Sequence, residues 1–427
     1  MAEEARSSIT ADESRRTHFW ILAALFGLAL LLRFWRLGDW NFQATEMFTL
    51  RDSNTPQFYN PRPLGYLLTY FLVRPFLPLN EFGLRLLPAI FGALTIPVVY
   101  LVNRRLIGDR AALVAALLLT ASPLHIMYSQ LARYWSLACL LSAVSPSAIY
   151  LGVRDRDRRM LALGVVTGLL AVLAHPASFL LVGGPALLLL GQLRRAHFAR
   201  WWNQPAARWA LIAIAVLIVV LLARLIPILY GWITLHDKNP GSGQFLLRPE
   251  PAGRKQIFYV LAYVESLTVP LVVFGGLGLY LLWREGNRTL TLFLLSLVVF
   301  PLTFLALLSL RTPVSQYYLV PTIPVWFIGG GVFVDRLYQS YQSLRPRWLL
   351  PAAVVAVIIA AGAPTLISDY RDGRRYDFRA GARWLAPRLQ PADMVFSDQP
   401  MVLAHYLPQT EVQRLRNREP LEQSIRE

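Results

Sequence analysis

The chain has little cysteine and little lysine, and too few acidic residues to balance its arginines. The only cysteine among the 427 residues is Cys139, so a disulfide or a cysteine-based metal site within one chain is excluded. Lysine occurs only at Lys238 and Lys255, so the formal net charge of +17 comes almost entirely from arginine. Because these arginines stand between apolar runs rather than in one patch, the sequence argues against nucleic-acid binding.

Long apolar runs dominate the rest of the sequence. Hydrophobic residues make up 55% of it, which excludes an ordinary soluble protein. A bilayer core of about 30 Å requires roughly 20 apolar residues per helix. We therefore predict an all-α polytopic membrane protein of about eleven transmembrane helices. The predicted spans lie near residues 17–36, 84–102, 111–128, 135–152, 160–175, 177–193, 209–232, 257–283, 289–310, 316–335 and 348–366.

Arginine-rich loops predict the orientation of these spans. Five alternate loops carry arginine, and the positive-inside bias places all of them in the cytoplasm. The tail 1–16 is then cytoplasmic, followed by a transmembrane domain over 17–366. The first loop, 37–83, and the C-terminal segment, 367–427, then lie outside.

Both outer segments carry signs of structure. In the first loop, residues 66–73 have the pattern of an interfacial amphipathic helix. The pattern of the C-terminal segment predicts a helix around 378–389, a turn at 390–393 and a strand at 394–397, which together would form a small α/β cap.

Glu46 is the candidate general base. It lies about ten residues past the first span among aromatic residues, with Asp39 and Asp52 on either side. A carboxylate at the membrane surface can accept a proton from a hydroxyl group. The alternative is a solvated loop acid.

A second group of polar residues lies at the other predicted outer turns and suits a phosphate headgroup. Arg133 offers planar, bidentate donors, although an arginine can also simply snorkel to lipid headgroups. His175 can instead cap a helix end, and Arg224 with Glu265 can form a structural ion pair. The candidate phosphate-binding or substrate-binding residues are Arg62, Gln130, Arg133, Tyr134, His175, Arg311, Gln316 and Tyr317.

Six segments, in order along the chain, resemble motifs of one known family. They are Arg36-Leu37-Gly38 with the aromatic and acidic run after it, Asn60-Pro61-Arg62-Pro63-Leu64-Gly65-Tyr66-Leu67-Leu68, Glu81-Phe82-Gly83-Leu84-Arg85-Leu86-Leu87-Pro88, Ser122-Pro123 with Tyr128-Ser129-Gln130-Leu131-Ala132-Arg133, Gln316-Tyr317-Tyr318-Leu319-Val320-Pro321, and Asp377-Phe378-Arg379-Ala380-Gly381-Ala382. These segments are similar to motifs of GT-C glycosyltransferases of the protein mannosyltransferase and aminoarabinose-transferase type. Each motif is weak alone, but six in sequence are strong.

The resemblance implies a GT-C-like fold and a function. Such a protein transfers a sugar, with inversion, from a polyprenyl-phosphate donor to a lipid, glycan or protein acceptor. It would lie in the bacterial inner membrane, with the N-terminus in the cytoplasm, the C-terminus outside and the reaction on the outer side. No cofactor and no nucleic-acid partner are implied.

Two positions depart from the family pattern. Thr45 stands where the family has the aspartate of an Asp-Glu pair, and Leu131 stands where it has a glutamate. The first departure leaves Glu46 or Asp39 as the base. It also weakens the case for a divalent metal, because hard cations prefer several oxygen ligands.

The same departures keep a second function open. A non-catalytic protein that binds lipid-linked sugars or helps an assembly could have kept the fold and lost the reaction. A secondary transporter is disfavoured, because the sequence shows neither inverted repeats nor broken midplane helices.

Overall fold

The computed structural model describes residues 2–55, 62–181, 183, 208, 258–309, 314, 316–341, 346–373, 376–390 and 393–414. Helices dominate these residues. The first part contains α1 (Ala2–Phe34), α2 (Ala44–Asn54), α3 (Pro63–Leu72), α4 (Glu81–Ile107), α5 (Asp109–Thr120), α6 (Pro123–Ser129), α7 (Trp135–Arg154), α8 (Arg158–Ala174) and a 3-10 turn (Pro176–Phe179). The second part contains α9 (Phe258–Leu267), α10 (Val269–Arg284), α11 (Arg288–Ser309), a 3-10 helix (Gln316–Thr322), α12 (Pro324–Ser340) and α13 (Leu349–Asp372).

Five of the described helices are long and apolar enough to cross a membrane, and up to eight spans result if three bent pairs each count as one. The five are Arg16–Phe34 of α1, together with α4, α7, α11 and α13. The predicted span 160–175 corresponds to the 17-residue helix α8. The predicted span 209–232, and most of 177–193, lie outside the described residues.

Three pairs of consecutive helices are sharply bent, which the sequence did not predict. The pairs α5–α6, α9–α10 and the 3-10 helix with α12 bend by 63°, 91° and 52°. Each bend is followed by a proline at the start of the next helix, namely Pro123, Pro270 or Pro324. Proline lacks an amide hydrogen and disfavours a helical residue before it, so each preceding helix ends there.

A buried arginine stabilises the first of these breaks. Arg33 of α1 is fully buried, and its Nη atoms donate to the carbonyl oxygens of Leu119 and Thr120 at the end of α5. A third contact, of 2.7 Å, joins Arg33 Nη2 to His125 Nδ1 in α6. Because the last carbonyls of a helix have no partner within that helix, Arg33 completes the hydrogen bonding where the chain turns.

The main hydrophobic core lies among α4, α5, α10, α11 and α12. Small residues allow close approach there. A Cβ atom at Gly278 of α10 would lie 1.9 Å from the carbonyl oxygen of Gly329 in α12. Backbone contact of this kind is typical of packed membrane helices.

The C-terminal residues form a small set of elements over one end of the bundle. They are α14 (Phe378–Leu385), a 3-10 turn (Ala386–Arg388), β1 (Val395–Ser397), α15 (Pro400–Tyr406) and β2 (Val412–Arg414). The two strands pair in parallel, with Val395 opposite Val412. A second hydrophobic cluster joins these elements to α2 and α4 through Phe42, Leu84 and Val402. We call the end of the bundle that carries α2, α3 and these elements the capped end.

Candidate functional site

Arg85 organises the first outer segment. It lies in the first turns of α4, is 1% exposed, and uses all five of its N–H groups. Nη1 donates to the carbonyl oxygens of Leu37 (3.1 Å) and Trp40 (2.8 Å), and Nη2 donates to that of Asn41 (3.0 Å). The two remaining donors bind the Glu46 carboxylate. A saturated, buried guanidinium of this kind fixes the path of the chain between α1 and α2.

Glu46 is completely buried and accepts four hydrogen bonds. Oε1 accepts from Arg85 Nε (2.8 Å) and from the amide of Ala132 (2.7 Å), and Oε2 accepts from Arg85 Nη2 (2.8 Å) and the amide of Gln43 (2.9 Å). These contacts link α2 to α4 and to the turn between α6 and α7. Because Ala132 precedes Arg133, the Glu46 carboxylate also sets the position of the turn that carries this arginine.

The turn 130–134 places Arg133 and Tyr134 against α2. Arg133 Nη1 donates to the carbonyl oxygen of Thr45 (3.0 Å) and to Thr49 Oγ1 (3.4 Å). Both acceptors are neutral. Burial, followed by the charge of Arg62, lowers the pKa of Arg133. Burial and the charge of Arg62 therefore outweigh the opposing effect of the Glu46 carboxylate on Arg133.

Arg62 reaches this turn through close packing of α3. It forms the N-terminal boundary of α3, and a Cβ atom at Gly65 would lie 1.8 Å from the Tyr134 ring. Only glycine allows α3 to approach Tyr134 so closely. Arg62 acts electrostatically on Arg133, so the two guanidinium groups lie within range of one another.

His175 lies within electrostatic range of the two arginines and presents a polar hydrogen. It is 1% exposed, and its Nδ1 accepts from the amide of Ala177 at 3.1 Å. An Nδ1 acceptor requires the hydrogen of a neutral ring to be on Nε2. Within the described residues, Nε2 has no hydrogen-bond partner. Arg62 and Arg133 both lie close enough to act electrostatically on this ring.

Aromatic rings form one wall of the same region. The ring centroids of His175 and Trp135 are 3.9 Å apart, and those of Trp135 and Tyr317 are 5.1 Å apart. The Tyr317 hydroxyl donates to that of Tyr318 at 3.2 Å. The predicted residues Arg62, Arg133, Tyr134, His175 and Tyr317 are thus close together, although they come from four separate parts of the chain. We call this group the arginine cluster.

Asp39 lies elsewhere, towards the C-terminal elements. Its side chain is 51% exposed and pairs with Arg36 at 2.7 Å. Its carbonyl oxygen accepts from Arg379, which in turn pairs with Glu81 at 2.9 Å. Asp39 therefore helps to hold the C-terminal elements and is not part of the arginine cluster.

The C-terminal elements are attached by one further hydroxyl group. Tyr406 donates to Glu81 at 2.6 Å and accepts from the amide of Phe42 at 2.9 Å. Burial, followed by the hydrogen bond to Glu81, raises the pKa of Tyr406, so this hydroxyl stays protonated and can donate.

The remaining predicted residues divide into three groups. Gln130 Nε2 donates to the carbonyl oxygens of Leu32, Arg33 and Trp35, so it holds the end of α1. Gln316 begins the 3-10 helix that carries Tyr317. Arg311 lies outside the described residues, as does Arg224, the proposed partner of Glu265.

Sequence reasoning missed Arg85 as part of the site. The residue lies within a motif that the sequence singled out, but an arginine at the start of a membrane helix has an ordinary interfacial explanation. No sequence signal reveals its five acceptors.

The described residues contain no group of three or more His, Cys, Asp or Glu side chains that could hold a metal ion.

Known proteins share parts of this sequence and most of this fold. Residues 62–224 match the family model described as dolichyl-phosphate-mannose-protein mannosyltransferase. The chain is 26% identical over 284 residues to undecaprenyl phosphate-alpha-4-amino-4-deoxy-L-arabinose arabinosyl transferase 1 of Pseudomonas fluorescens. That match covers 62% of this chain and 48% of the relative, so the chain spans about half the length of this curated relative.

Solved structures show the likeness in fold. ArnT from Cupriavidus metallidurans bound to undecaprenyl phosphate matches with a TM-score of 0.60 and 17% identity, over 94% of this chain and 88% of ArnT. The apo oligosaccharyltransferase of Archaeoglobus fulgidus matches with a TM-score of 0.59 and 15% identity, over 92% of this chain and 64% of that protein.

These likenesses show the fold. The chain is a mostly helical protein with five to eight candidate membrane spans among its described residues, and it has the fold of ArnT and of the archaeal oligosaccharyltransferase. Its predicted resemblance to GT-C glycosyltransferases of the protein mannosyltransferase and aminoarabinose-transferase type is confirmed.

Proposed function

We propose that the protein is a membrane glycosyltransferase that transfers a sugar, with inversion, from a polyprenyl-phosphate donor to an acceptor hydroxyl group. The acceptor is a lipid, a glycan or a protein. The observation that carries this proposal is the arginine cluster, in which two guanidinium groups and a buried His175 Nε2–H lie together at the capped end.

The cluster has the chemistry of a phosphate site. Guanidinium groups bind phosphate oxygens through two parallel, charge-assisted hydrogen bonds. Two neighbouring arginines repel one another, and a bound anion removes that repulsion. The Nε2–H group of His175 provides a further donor. The lipid phosphate bound by the related ArnT from Cupriavidus metallidurans is an anion of this kind.

The reaction would be an in-line displacement at the anomeric carbon. The acceptor oxygen attacks this carbon while the bond from carbon to the phosphate oxygen breaks. A carboxylate takes the acceptor proton, and Arg133 stabilises the negative charge that develops on the leaving phosphate. These groups belong to the chain itself, so no step requires a metal ion.

We assign Glu46 a positioning role instead of the predicted role of base. Its carboxylate already accepts four hydrogen bonds from buried donors, and deprotonating a hydroxyl group would require it to give up at least one of them. The Asp39 carboxylate pairs with Arg36 and its carbonyl oxygen accepts from Arg379, so Asp39 lies beside the C-terminal elements.

We further propose that the capped end lies outside the bacterial inner membrane, with about eleven spans and the C-terminal elements as an outer cap. Four of the five arginine-rich loops meet at the other end. Arg154 donates to the carbonyl oxygen of Arg105, Arg110 pairs with Asp335, and Arg336 pairs with Glu285. The positive-inside bias makes that end cytoplasmic. Reporter fusions after Arg156 and Gln409 should report opposite sides, and the same side for both contradicts this topology.

The second candidate is a protein that binds a lipid-linked sugar without transferring it. Thr45 favours it, because a threonine cannot act as the base that an aspartate would provide at this position. Purified protein in proteoliposomes, supplied with radiolabelled polyprenyl-phosphate sugars and membrane extract as acceptor, separates the two functions. Labelled product that requires Arg133 supports the transferase, whereas tight donor binding without product supports the binder.

A further inference from the structure

One face of α2 is turned towards the arginine cluster. Thr45, Thr49 and Asp52 are spaced at i, i+4 and i+7, which places them on the same side of a helix. The carbonyl oxygen of Thr45 and the hydroxyl group of Thr49 both accept from Arg133. Asp52 and Thr49 also act electrostatically on the neighbouring Tyr134 hydroxyl. The face therefore carries one carboxylate, that of Asp52, beside the proposed phosphate site.

The three acids of this region have different surroundings. Glu46 is buried among four donors, and Asp39 is half exposed beside the C-terminal elements. The Asp52 side chain is 11% exposed, and its carboxylate pairs at 2.9 Å with Arg51, whose own side chain is 63% exposed. Asp52 differs from both, because it lies on the face of α2 that carries the two acceptors of Arg133. This position makes Asp52 the carboxylate best placed to meet an acceptor beside the proposed phosphate site.

We propose that Asp52 is the general base of the transfer reaction, an inference that rests on the proposed function. The acceptor O–H group approaches between Asp52 and the donor bound at Arg133. As its oxygen bonds to the anomeric carbon, its proton passes to the Asp52 carboxylate. The electron pair of the broken bond from carbon to phosphate leaves with the phosphate. Charge and atoms balance without a further reactant.

Thr45 offers a direct way to test this geometry. It lies on the same face, and its Oγ1 atom is buried with no hydrogen-bond partner in the described part of the chain. A carboxylate introduced there would lie beside the Arg133 contact, about two turns before Asp52. It could therefore replace the function of Asp52 in a variant that lacks that acid.

The experiment measures turnover and donor KM for four proteins in proteoliposomes. Asp52→Asn should lower kcat by about 100-fold or more, with donor KM changed by less than about threefold. Asp39→Asn, the matched control, should stay within about threefold of the wild type. The double variant Thr45→Asp with Asp52→Asn should recover at least about tenfold over Asp52→Asn alone.

Each alternative outcome has a defined meaning. An active wild type with a fully active Asp52→Asn variant overturns this inference and leaves the proposed function intact. No turnover by the wild type with any polyprenyl-phosphate sugar overturns the proposed function, and the inference with it. If Asp52→Asn does not fold, the Asp52→Glu variant tests the inference instead. Glutamate keeps the carboxylate but moves its oxygens, so kcat should fall by about tenfold while the donor KM stays constant. An unchanged kcat in that variant overturns the inference.

Discussion

Replacing Glu46 by glutamine should destabilise the whole protein, because its carboxylate is an acceptor for four donors and for one buried positive charge. Each oxygen binds one Arg85 nitrogen and one backbone amide, at distances of 2.7–2.9 Å. A glutamine has only one acceptor oxygen. In either orientation the glutamine NH₂ group replaces an oxygen that accepts from one Arg85 nitrogen and one backbone amide. Both of those hydrogen bonds are lost, and the two N–H groups then point at another N–H donor.

The magnitude follows from the burial of the pair. Both side chains are almost completely inaccessible, at 0% for Glu46 and 1% for Arg85. Removing one partner of a buried ion pair leaves an uncompensated charge and typically costs about 3–5 kcal/mol. We expect the free energy of unfolding to fall by about this amount. The matched exchange at Asp39, whose side chain is 51% exposed, should cost less than about 1 kcal/mol.

Tryptophan fluorescence during unfolding in detergent measures both variants, since the chain contains 12 tryptophans. Glu46→Gln should unfold at a clearly lower temperature or denaturant concentration than Asp39→Asn. If the Glu46→Gln protein unfolds like the wild type but loses turnover at unchanged donor affinity, the positioning role is refuted and Glu46 returns as the base.

Three further changes test the site and its attachment. Arg133→Ala should weaken binding of undecaprenyl phosphate by about 10- to 100-fold, and Arg133→Lys should weaken it less, because lysine keeps the charge but loses the planar pair of donors. Gly65→Ala should lower both donor binding and thermal stability, because the new Cβ atom would lie 1.8 Å from the Tyr134 ring. Tyr406→Phe should make the C-terminal segment more sensitive to limited proteolysis, since it removes the hydroxyl group that joins Glu81 to the amide of Phe42.

Each of these predictions has its own contrary result. Unchanged lipid binding in both Arg133 variants would reduce this residue to an interfacial anchor. Gly276→Ala, where a Cβ atom meets nothing within 4 Å, is the control for Gly65, and equal effects of the two would exclude the packing argument. An unchanged cleavage rate in Tyr406→Phe would show that the C-terminal segment is held by its hydrophobic contacts alone.

Much of the membrane architecture could be predicted because lipid imposes a simple rule of length and composition. The long spans and the shared end of the arginine-rich loops follow from that rule. The bends do not. Pro123, Pro270 and Pro324 begin new helices, whereas Pro88 and Pro97 lie inside the continuous helix α4. Whether a proline breaks a helix depends on the neighbours that supply hydrogen bonds, as Arg33 does here.

The candidate site was predictable residue by residue but not in its roles. Arg133, His175 and Tyr317 could be found because polar residues at the ends of membrane spans need an explanation. The sequence did not show that Glu46 binds Arg85, because 39 residues separate them. The helix α2 also escaped prediction, since its 11 residues lack an apolar stripe. Without that helix, the shared face of Thr45, Thr49 and Asp52 could not be recognised.

A structure of the protein with undecaprenyl phosphate would show directly whether the arginine cluster binds the lipid phosphate. We expect a phosphate oxygen within about 3.2 Å of an Arg133 Nη atom, with Arg62 and His175 Nε2 around the same group. A phosphate bound elsewhere, with Arg133 still on Thr45 and Thr49 alone, would contradict this expectation.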